Sequence, residues 1–353
     1  MRLLVTGAAG FIGSNFVRHV LAVAPPDTVG RLVALDLLTY AGNYANLAGL
    51  EQDARFAFVR LDVADRDAIR ALVSDEAIDA VVHLAAESHV DRSIADTDPF
   101  LRTNVHGTVA LLEAVRGRRG FRRFVQLSTD EVYGSITHGR ATEDWPTRPS
   151  SPYAASKAAA DGFVQAYATT HGVPAVITRC SNNYGPYQFP EKIIPLFITN
   201  ALDGAPLPLY GDGMNVRDWI HVEDHAAALW HVLGLPQADG DVFNVSAENE
   251  VPNRAVTDQI LVLLDRPRTL VRYVADRPGH DRRYALDSAK LRATGWRPRR
   301  SFADGLAQTV AWYRSERPWW KAVKSGAYRD YYDRMYLERL ARSSAVPAGG
   351  PAR

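Results

Sequence analysis

Thr129, Asp130 and Glu131 place a hydroxyl and two adjacent carboxylates directly after the apolar run Phe124–Leu127. The run predicts a buried strand, and open α/β sheets bind ligands at the carboxyl ends of their strands. Two carboxylates at such a place are costly unless they are solvated, paired or used in proton transfer. Ser, Thr and Asp also favour helix caps, so this stretch alone fits a structural turn and an acid–base site equally well.

Gly7, Gly10 and Gly13 follow the predicted strand Leu3–Thr6 and open the predicted helix Phe11–Ala24. Glycines at this spacing permit a tight turn, close approach of the backbone to a pyrophosphate, and close packing of helix on strand. The free N–H groups and the partial positive charge of the helix N-terminus then favour phosphate. A structural turn is the alternative, but the flanking strand and helix favour a dinucleotide.

Asp36 ends the second predicted strand, Arg31–Leu35, and comes 23 positions after Gly13. An acidic residue about 20 positions beyond the glycines accepts a hydrogen bond from the ribose 2′-hydroxyl of NAD. The same carboxylate repels the 2′-phosphate of NADP, so we predict NAD, with a solvated strand-end aspartate as the alternative. Asp62 and Val63, after the third predicted strand, either border the adenine or form a surface turn.

Tyr153 and Lys157 are four positions apart, which places them one turn apart on one face of the predicted helix Tyr153–His171. A free tyrosine has a pKa near ~10, so a tyrosine base near neutral pH needs about 4 kcal/mol of phenolate stabilisation. We expect the Lys157 ammonium and a cationic nicotinamide ring to supply energy of that order. A chance pair is the alternative, which the scarcity of lysine in this chain disfavours.

Short apolar runs alternate with helical patterns in the first half of the chain, which predicts a Rossmann-type doubly wound parallel sheet. The predicted strands are Leu3–Thr6, Arg31–Leu35, Ala57–Arg60, Ala80–Leu84, Phe124–Leu127 and Ala175–Arg179. The predicted helices are Phe11–Ala24, Arg66–Glu76, Phe100–Arg116 and Tyr153–His171.

Prolines and aromatic residues become frequent after residue 185, which predicts a smaller, loop-rich C-terminal substrate domain. We therefore divide the chain into an NAD-binding domain at 1–185 and a nucleotide-sugar-binding region at 186–335. The helical pattern Glu223–Leu233 and the run Val242–Val245 predict return segments near 218–246, so the two parts are interleaved. Residues 337–353 are predicted to be a flexible tail.

The composition excludes several classes of protein. The net charge of +1 over 353 residues gives no basic field that favours nucleic acid. Cys180 is the only cysteine, which suits a reducing compartment, and no apolar run approaches the ~20 residues that span a bilayer. The strand predicted at the start leaves no room for a signal peptide. We expect a cytoplasmic protein without metal that binds neither membrane nor nucleic acid.

The glycine pattern, Asp36 and the Tyr153–Lys157 pair resemble the extended short-chain dehydrogenase/reductases. With Ser128–Gly134 added, the chain resembles the nucleotide-sugar 4,6-dehydratases, and most closely the dTDP-glucose 4,6-dehydratases. Further matching stretches are His83–Ser93, Cys180–Tyr187, Gly211–Gly213, Arg217–Trp219 and Asp276–Tyr284. The resemblance extends from Leu3 to about Tyr331, and Leu37 departs from it where relatives often have a polar or basic residue.

The resemblance implies a redox cycle that regenerates NAD. Tyr153 takes the proton of the sugar 4-hydroxyl as hydride leaves C4 for NAD, and Thr129 positions the same oxygen. Glu131 removes the C5 proton, Asp130 protonates the departing 6-hydroxyl, hydride returns to C6, and C5 is reprotonated to give a 4-keto-6-deoxy sugar. Since one carboxyl is a base and the other an acid at the same pH, we expect their environments to separate their pKa values.

The resemblance also implies the ligand-binding residues. For the cofactor these are Gly7, Gly10, Phe11, Ile12, Gly13, Asp36, Leu37, Thr39, Asp62, Val63, Leu84, Ala85, Ala86, Ser88, Thr103, Tyr153, Lys157 and Asn183. For the nucleotide sugar, dTDP-glucose, they are Ser88, Thr129, Asn182, Lys192, Pro208, Tyr210, Arg217, Asn253, Arg277 and His280. A surface role is the alternative for Lys192, Asn253, Arg277 and His280. A homodimer is implied, through helices near Phe100–Arg116 and Tyr153–His171.

Other functions remain open at this point. A UDP-sugar 4,6-dehydratase fits the same motifs, because the thymidine and uridine pockets are not separable in the sequence. A nucleotide-sugar 4-epimerase or decarboxylase needs the Tyr153–Lys157 pair and NAD, but neither needs Asp130 and Glu131 for loss of the 6-hydroxyl. A non-catalytic NAD-binding scaffold needs none of these side chains.

Overall fold

The computed structural model describes residues 1–276, 281–325, 328, 332–333, 336 and 339–345. The strands are β1 (Arg2–Thr6), β2 (Arg31–Asp36), β3 (Phe56–Arg60), β4 (Ala80–His83), β5 (Arg123–Thr129), β6 (Ala175–Cys180), β7 (Asn182–Tyr184), β8 (Leu207–Tyr210), β9 (Val216–His221), β10 (Val242–Val245), β11 (Glu250–Pro252), β12 (Val271–Val274) and β13 (Ser344–Ala345). The helices are α1 (Phe11–Val23), α2 (Arg66–Asp75), α3 (Val90–Ala95), α4 (Asp98–Phe100), α5 (Gly107–Val115), α6 (Pro152–His171), α7 (Ile193–Asp203), α8 (Val222–Gly234), α9 (Asn253–Leu264), α10 (Ala289–Ala293), α11 (Phe302–Ser315) and α12 (Arg317–Val323).

Seven parallel strands form the central sheet in the order β10-β6-β5-β4-β1-β2-β3. The order reverses at β1, as in a doubly wound sheet, so the fold prediction is confirmed. Strands β1, β4 and β5 are almost wholly buried, because helices cover both faces of the sheet. Strands β1, β2, β4, β5 and β6 run in parallel register. Their last residues therefore lie at one edge of the sheet, namely Thr6, Asp36, His83, Thr129 and Cys180.

The predicted helix Phe100–Arg116 is wrong in one respect. The segment Leu101–His106 is a π-helix, and the α-helix α5 starts only at Gly107. Such widened turns often mark functional sites. Asn104 lies in this π-helix, and its side chain hydrogen-bonds to the loop after β4 and to α6.

The part of the chain after β6 builds two small sheets and a second apolar core. The sheets have the strand orders β11-β9-β7 and β13-β12-β8. Aromatic side chains contribute to this core beside aliphatic ones, among them Phe197, Trp219, Tyr313 and Trp320. Strand β10 instead joins the central sheet beside β6, which is the return that the run Val242–Val245 predicted.

The division at residues 185 and 186 stays a prediction, and so does the flexible tail at 337–353. Within that tail the structure describes residues 339–345, and Ser344 and Ala345 pair with Tyr273 and Arg272. Across the described part of the chain, no helix has both the length and the apolar character needed to cross a membrane. Location in the cytoplasm stays a prediction.

Candidate active site

A cavity of about 330 Å³ opens at the carboxyl ends of the central strands. This volume is within the range of small-molecule and cofactor sites. All the cofactor residues that the resemblance implied line it, namely Gly7, Gly10, Phe11, Ile12, Gly13, Asp36, Leu37, Thr39, Asp62, Val63, Leu84, Ala85, Ala86, Ser88, Thr103, Tyr153, Lys157 and Asn183. The acidic pair lines the same cavity, so the dinucleotide motifs and Asp130–Glu131 belong to one site.

The glycine loop leaves no room for side chains. Gly7 has a φ of +64°, and a Cβ there would lie 2.7 Å from the backbone of Ala85. A Cβ on Gly13 would lie 2.0 Å from the carbonyl oxygen of Gly7. The loop therefore holds α1 tightly against β1 and exposes backbone N–H groups at the start of that helix. These features fit the pyrophosphate of a dinucleotide.

The carboxylate of Asp36 is fixed at the end of β2 by backbone groups. Its Oδ2 accepts from Ala9 N at 2.9 Å and its Oδ1 accepts from Leu38 N at 2.8 Å. Burial raises the pKa of Asp36, and these backbone N–H groups lower it. Asp36 also lines the cavity, so its carboxylate fits a ribose hydroxyl and disfavours an added phosphate.

Thr129, Asp130 and Glu131 form a turn and a site at once. Strand β5 ends at Thr129, whose hydroxyl accepts from Glu131 N at 3.2 Å and so caps the short 3₁₀ turn Asp130–Tyr133. The same hydroxyl donates to Asp130 Oδ1 at 3.1 Å. The capping interpretation and the acid–base interpretation of this stretch are therefore compatible.

Asp130 is 3% exposed, and among the described residues its Oδ2 has no hydrogen-bond partner. Burial raises the pKa of Asp130 well above its usual range, and the charges of Glu131 and Asp218 raise it further. Both effects favour the neutral, protonated form of Asp130.

Tyr153 lies next to the acidic pair. Burial and then the charge of Glu131 raise the pKa of Tyr153 well above its usual value, while a hydrogen bond with Thr129 lowers it. Lys157 Nζ donates to the carbonyl of Leu127 at 2.6 Å. The expectation that Lys157 and a cationic nicotinamide ring together favour the phenolate of Tyr153 stays a prediction.

A buried ion pair, formed by Asp161 and Arg179, affects the pKa of Lys157. Asp161 lies one helical turn further along α6, and its Oδ2 accepts from Arg179 Nε and from Ser128 Oγ, both at 3.0 Å. Asp161 and Arg179 side chains are 3% and 5% exposed. Burial lowers the pKa of Lys157, and the charge of Asp161 opposes that change. The charge of Asp161 thereby favours the ammonium form of Lys157.

Asn104 joins the π-helix to two walls of the site. Its Nδ2 donates to Glu87 O at 3.0 Å and to Ser156 Oγ at 2.8 Å, and its Oδ1 accepts from Glu87 N at 2.9 Å. Glu87 lines the cavity, and Ser156 precedes Lys157 on α6. The amide thus fixes the loop after β4 against the catalytic helix.

A second cavity of about 130 Å³ continues the first toward the C-terminal region. Six of the expected substrate residues line it, namely Asn182, Lys192, Pro208, Tyr210, Arg217 and Asn253. Glu131, Asn182 and Lys192 line both cavities, whereas Ser88 and Thr129 line the first. Arg277 and His280 lie outside the described residues. A ligand that spans both cavities passes directly beside Glu131.

Sequence reasoning missed several residues of these cavities. Tyr40 and Glu191 line the first cavity, and Tyr284 and Tyr336 line the second. Tyr40 has a signal in the sequence, because it follows Asp36 by four positions in the same loop. Tyr336 has none of that kind, since the fold brings it from the far end of the chain.

Comparison with known proteins agrees with this geometry. A family described as GDP-mannose 4,6 dehydratase matches residues 4–309. A dTDP-glucose 4,6-dehydratase of Streptomyces niveus is 50% identical over 327 residues, which are 92% of this chain and 96% of the relative. A crystal structure of a dTDP-glucose 4,6-dehydratase from Streptomyces venezuelae with NAD bound is 53% identical, with a TM-score of 0.88. It covers 92% of this chain and 100% of its own.

The fold itself is shared more widely. The UDP-glucose 4-epimerase of Thermus thermophilus, crystallised with NAD, has a TM-score of 0.82 at 33% identity, over 90% of this chain and 100% of that one. The fold and the site together define an extended short-chain dehydrogenase/reductase. Within that class, the chain belongs to the GDP-mannose 4,6 dehydratase family, whose dTDP-glucose 4,6-dehydratases it matches over almost their full length.

Proposed function

We propose that this chain is a dTDP-glucose 4,6-dehydratase, which converts dTDP-glucose to dTDP-4-keto-6-deoxy-glucose and water. The observation that carries the proposal is the pair Asp130–Glu131 at the junction of the two cavities. One member is buried with a raised pKa, and the other lines both cavities. The name and ligand of the matched enzymes agree with this function.

NAD is the cofactor that the site fits, because the glycine loop has space for a pyrophosphate and Asp36 faces the cavity. When bound, NAD takes up the hydrogen lost from sugar C4 and gives it back at C6. The protein supplies the proton transfers. Tyr153 removes the proton of the 4-hydroxyl, and Thr129 hydrogen-bonds to the same oxygen.

The acidic pair carries out the dehydration. Once C4 is a ketone, the proton at C5 is acidic, and Glu131 removes it; C5 takes up a proton again when hydride is added at C6. Asp130 gives its proton to the 6-hydroxyl, which leaves as water. The hydroxyl of Thr129 has a single hydrogen, so it can donate to only one of Asp130 and Tyr153 at a time. With Asp130 protonated, that hydrogen is available to a Tyr153 phenolate, and the hydroxyl links the acid to the base.

Arg217 is the proposed diphosphate-binding residue. Its side chain is 5% exposed, and its guanidinium lies 4.3 Å from the centre of the Tyr284 ring in the second cavity. Its Nη2 donates to Asp281 O at 2.9 Å, which fixes the plane of the group. A guanidinium held in this way presents a planar fork to phosphate oxygens.

A turnover assay with two substrates tests the function. The purified chain with NAD is incubated with dTDP-glucose and, in parallel, with UDP-glucose, and products are identified by mass spectrometry and NMR. We expect loss of one water and a new C6 methyl group. The two nucleotides differ by the 5-methyl group of the base and by the 2′-hydroxyl of the sugar, and one methyl group alone is worth ~1–3 kcal/mol, so kcat/KM for dTDP-glucose is expected to be at least about tenfold higher. Epimerised sugar without water loss indicates an epimerase, and no turnover indicates a scaffold.

We also propose that the chain forms a homodimer through α6 and the helical region beside it. Leu101 and Phe163 are 43% and 41% exposed, and they lie on the two helices for which the sequence predicted an interface. Large apolar side chains on adjacent solvent-facing helices favour a self-complementary contact.

The substitution Phe163→Arg tests this dimer. It is expected to raise the dimer dissociation constant by about 100-fold or more, because a two-fold contact would bury the unpaired charge twice. Light scattering after size-exclusion chromatography measures the mass. Val262→Arg is the control, since Val262 is 79% exposed on α9. If Phe163→Arg has the mass of the wild type, this interface is wrong.

A further inference from the structure

One group of side chains has no part in the proposed proton transfers, yet it joins three segments at the first cavity. Tyr40 comes from the loop after β2, His89 and Arg92 from the start of α3, and Glu191 from the segment before α7. Tyr40 and Glu191 line the cavity itself. We infer that these four residues, named the clasp, retain NAD in its cavity throughout the catalytic cycle.

The contacts of the clasp converge on one carboxylate. Tyr40 Oη donates to Glu191 Oε1 at 3.1 Å. Arg92 Nε lies 3.8 Å and His89 Nε2 lies 3.9 Å from Glu191 Oε2. The guanidinium carbon of Arg92 also lies 3.7 Å from the centre of the Tyr40 ring. Each of the three segments is therefore tied to both others.

The clasp is buried enough for these contacts to matter. The side chains of Glu191 and His89 are 3% and 6% exposed, and that of Arg92 is 30% exposed. A buried carboxyl group that loses its partners pays the full cost of desolvation. Opening the clasp separates Glu191 from Tyr40 and Arg92. The contacts of Glu191 with these two residues therefore oppose release of a ligand from the cavity.

One side of the clasp is anchored independently of any ligand. Asn15 Nδ2 on α1 donates to Pro186 O at 3.0 Å, and Tyr328 Oη donates to Pro190 O at 2.8 Å. Lys192 Nζ donates to Ser88 O at 3.1 Å and links this segment to the loop after β4. The segment before α7 therefore forms a fixed wall of the cavity.

The other side of the clasp is the loop after β2, which carries backbone strain. Leu38 has a φ of 59°, which is unfavourable for a residue other than glycine. Such strain is found at ligand clamps and persists only where surrounding contacts hold it. Two residues further on, Tyr40 provides such a contact, so the loop that carries Asp36 is pinned over the cavity by the bond to Glu191.

Retention matters because of the proposed function, on which this inference rests. The dehydration removes and returns the same hydrogen, so it has no net change in oxidation state. If the reduced cofactor left between the two steps, the sugar would remain oxidised and the protein would need fresh reductant. Residues that slow cofactor release therefore raise the fraction of cycles that reach product.

The substitution Tyr40→Phe tests the clasp, since it removes one hydroxyl and keeps the ring under Arg92. We expect NAD to dissociate about tenfold faster, which corresponds to about 1.4 kcal/mol. The NAD-loaded protein is mixed with excess etheno-NAD, and the exchange is followed by fluorescence. Tyr44→Phe is the matched control, because Tyr44 is 45% exposed outside the clasp and packs on Phe58. Dissociation of Tyr40→Phe at the wild-type rate overturns the inference.

A double-substitution cycle tests whether the clasp acts as one unit. Arg92→Gln alone is also expected to speed release, with Arg70→Gln at an exposed pair as its control. If both residues act through Glu191, Tyr40→Phe combined with Arg92→Gln changes the rate by less than the product of the single effects. Independent, multiplicative effects contradict the clasp.

Two further measurements separate retention from general stability and from the proposed function. Without NAD, the thermal unfolding midpoint of Tyr40→Phe is expected to fall somewhat, because the buried Glu191 loses a hydrogen bond, and the stabilisation that added NAD gives is expected to shrink in addition. If the thermal unfolding midpoint of Tyr40→Phe falls by the same amount with and without NAD, the inference is overturned. Exchange of NAD needs no sugar. If the wild type fails to dehydrate dTDP-glucose, the proposed function is refuted, but the exchange measurement remains valid.

Discussion

Replacement of Asp130 by asparagine is expected to leave oxidation of the sugar intact and to slow loss of water by about 10²–10⁴-fold, the usual contribution of a general acid. Asparagine keeps the shape of the side chain and the Oδ1 atom that accepts from Thr129. It has no acidic proton for the departing 6-hydroxyl. The variant is therefore expected to fold normally and to stop after the first half of the cycle.

The signature of this variant is an accumulated intermediate rather than simple inactivity. On mixing with dTDP-glucose, the near-ultraviolet absorbance of reduced nicotinamide is expected to rise and persist, while mass spectrometry finds little dehydrated sugar. Asp67→Asn is the control, because the Asp67 side chain is 94% exposed on α2. Wild-type rates of product formation by Asp130→Asn would falsify the role of Asp130 as the acid.

The raised pKa of Asp130 gives the same prediction a pH dependence. Burial and the nearby charges of Glu131 and Asp218 keep the proton on Asp130 at a pH where an exposed aspartate has lost it. The acid form is the active one, so kcat for dehydration is expected to fall as pH rises through that raised pKa. Asp130→Asn has no such group, and its residual dehydration is expected to lose this alkaline decline.

The sequence was sufficient to place the acidic pair, because the determinants are local. An apolar run such as Phe124–Leu127 fixes where a buried strand lies, and a parallel sheet then aligns its end with those of β1, β2 and β4. Thr129, Asp36 and the glycine loop meet at one edge for that reason alone. Helix limits also follow local signals, as for α6, which Ser151 caps and Pro152 begins.

The environment of the same residues could not be read from the sequence. The burial of Asp130 depends on how the C-terminal region packs over the end of β5, and the charge of Asp218 comes from a strand 88 positions later. Tyr153 shows the same limit. Its spacing from Lys157 is visible in the sequence, but the dominance of burial over any neighbouring cation is a property of the folded site.

Contacts between distant segments were the hardest to predict. The bond between Tyr40 and Glu191 joins positions 151 residues apart, and no pattern in either segment indicates the other. Tyr336 reaches the second cavity in the same way, from beyond the residues that the family match covers. Both need the packing of the C-terminal region, where aromatic side chains without clear periodicity fill the core.

Replacement of Tyr153 by phenylalanine is expected to reduce oxidation of the sugar by about 10²–10⁴-fold or more, because the proton of the 4-hydroxyl then has no acceptor. Stopped-flow mixing with dTDP-glucose measures this step as the formation of reduced nicotinamide, which is expected to be almost absent. Tyr167→Phe is the control, since Tyr167 lies on the same helix and hydrogen-bonds to Glu113 away from the site.

The contrast between the two variants tests the division of labour more strictly than either alone. Asp130→Asn is expected to accumulate reduced cofactor, and Tyr153→Phe is expected not to form it, although the two side chains share the hydroxyl of Thr129. If Thr129 or water could serve as the first base, Tyr153→Phe would still reduce NAD at a substantial rate. That result would remove Tyr153 from the oxidation and leave its raised pKa as a consequence of burial and of the charge of Glu131, without a catalytic role.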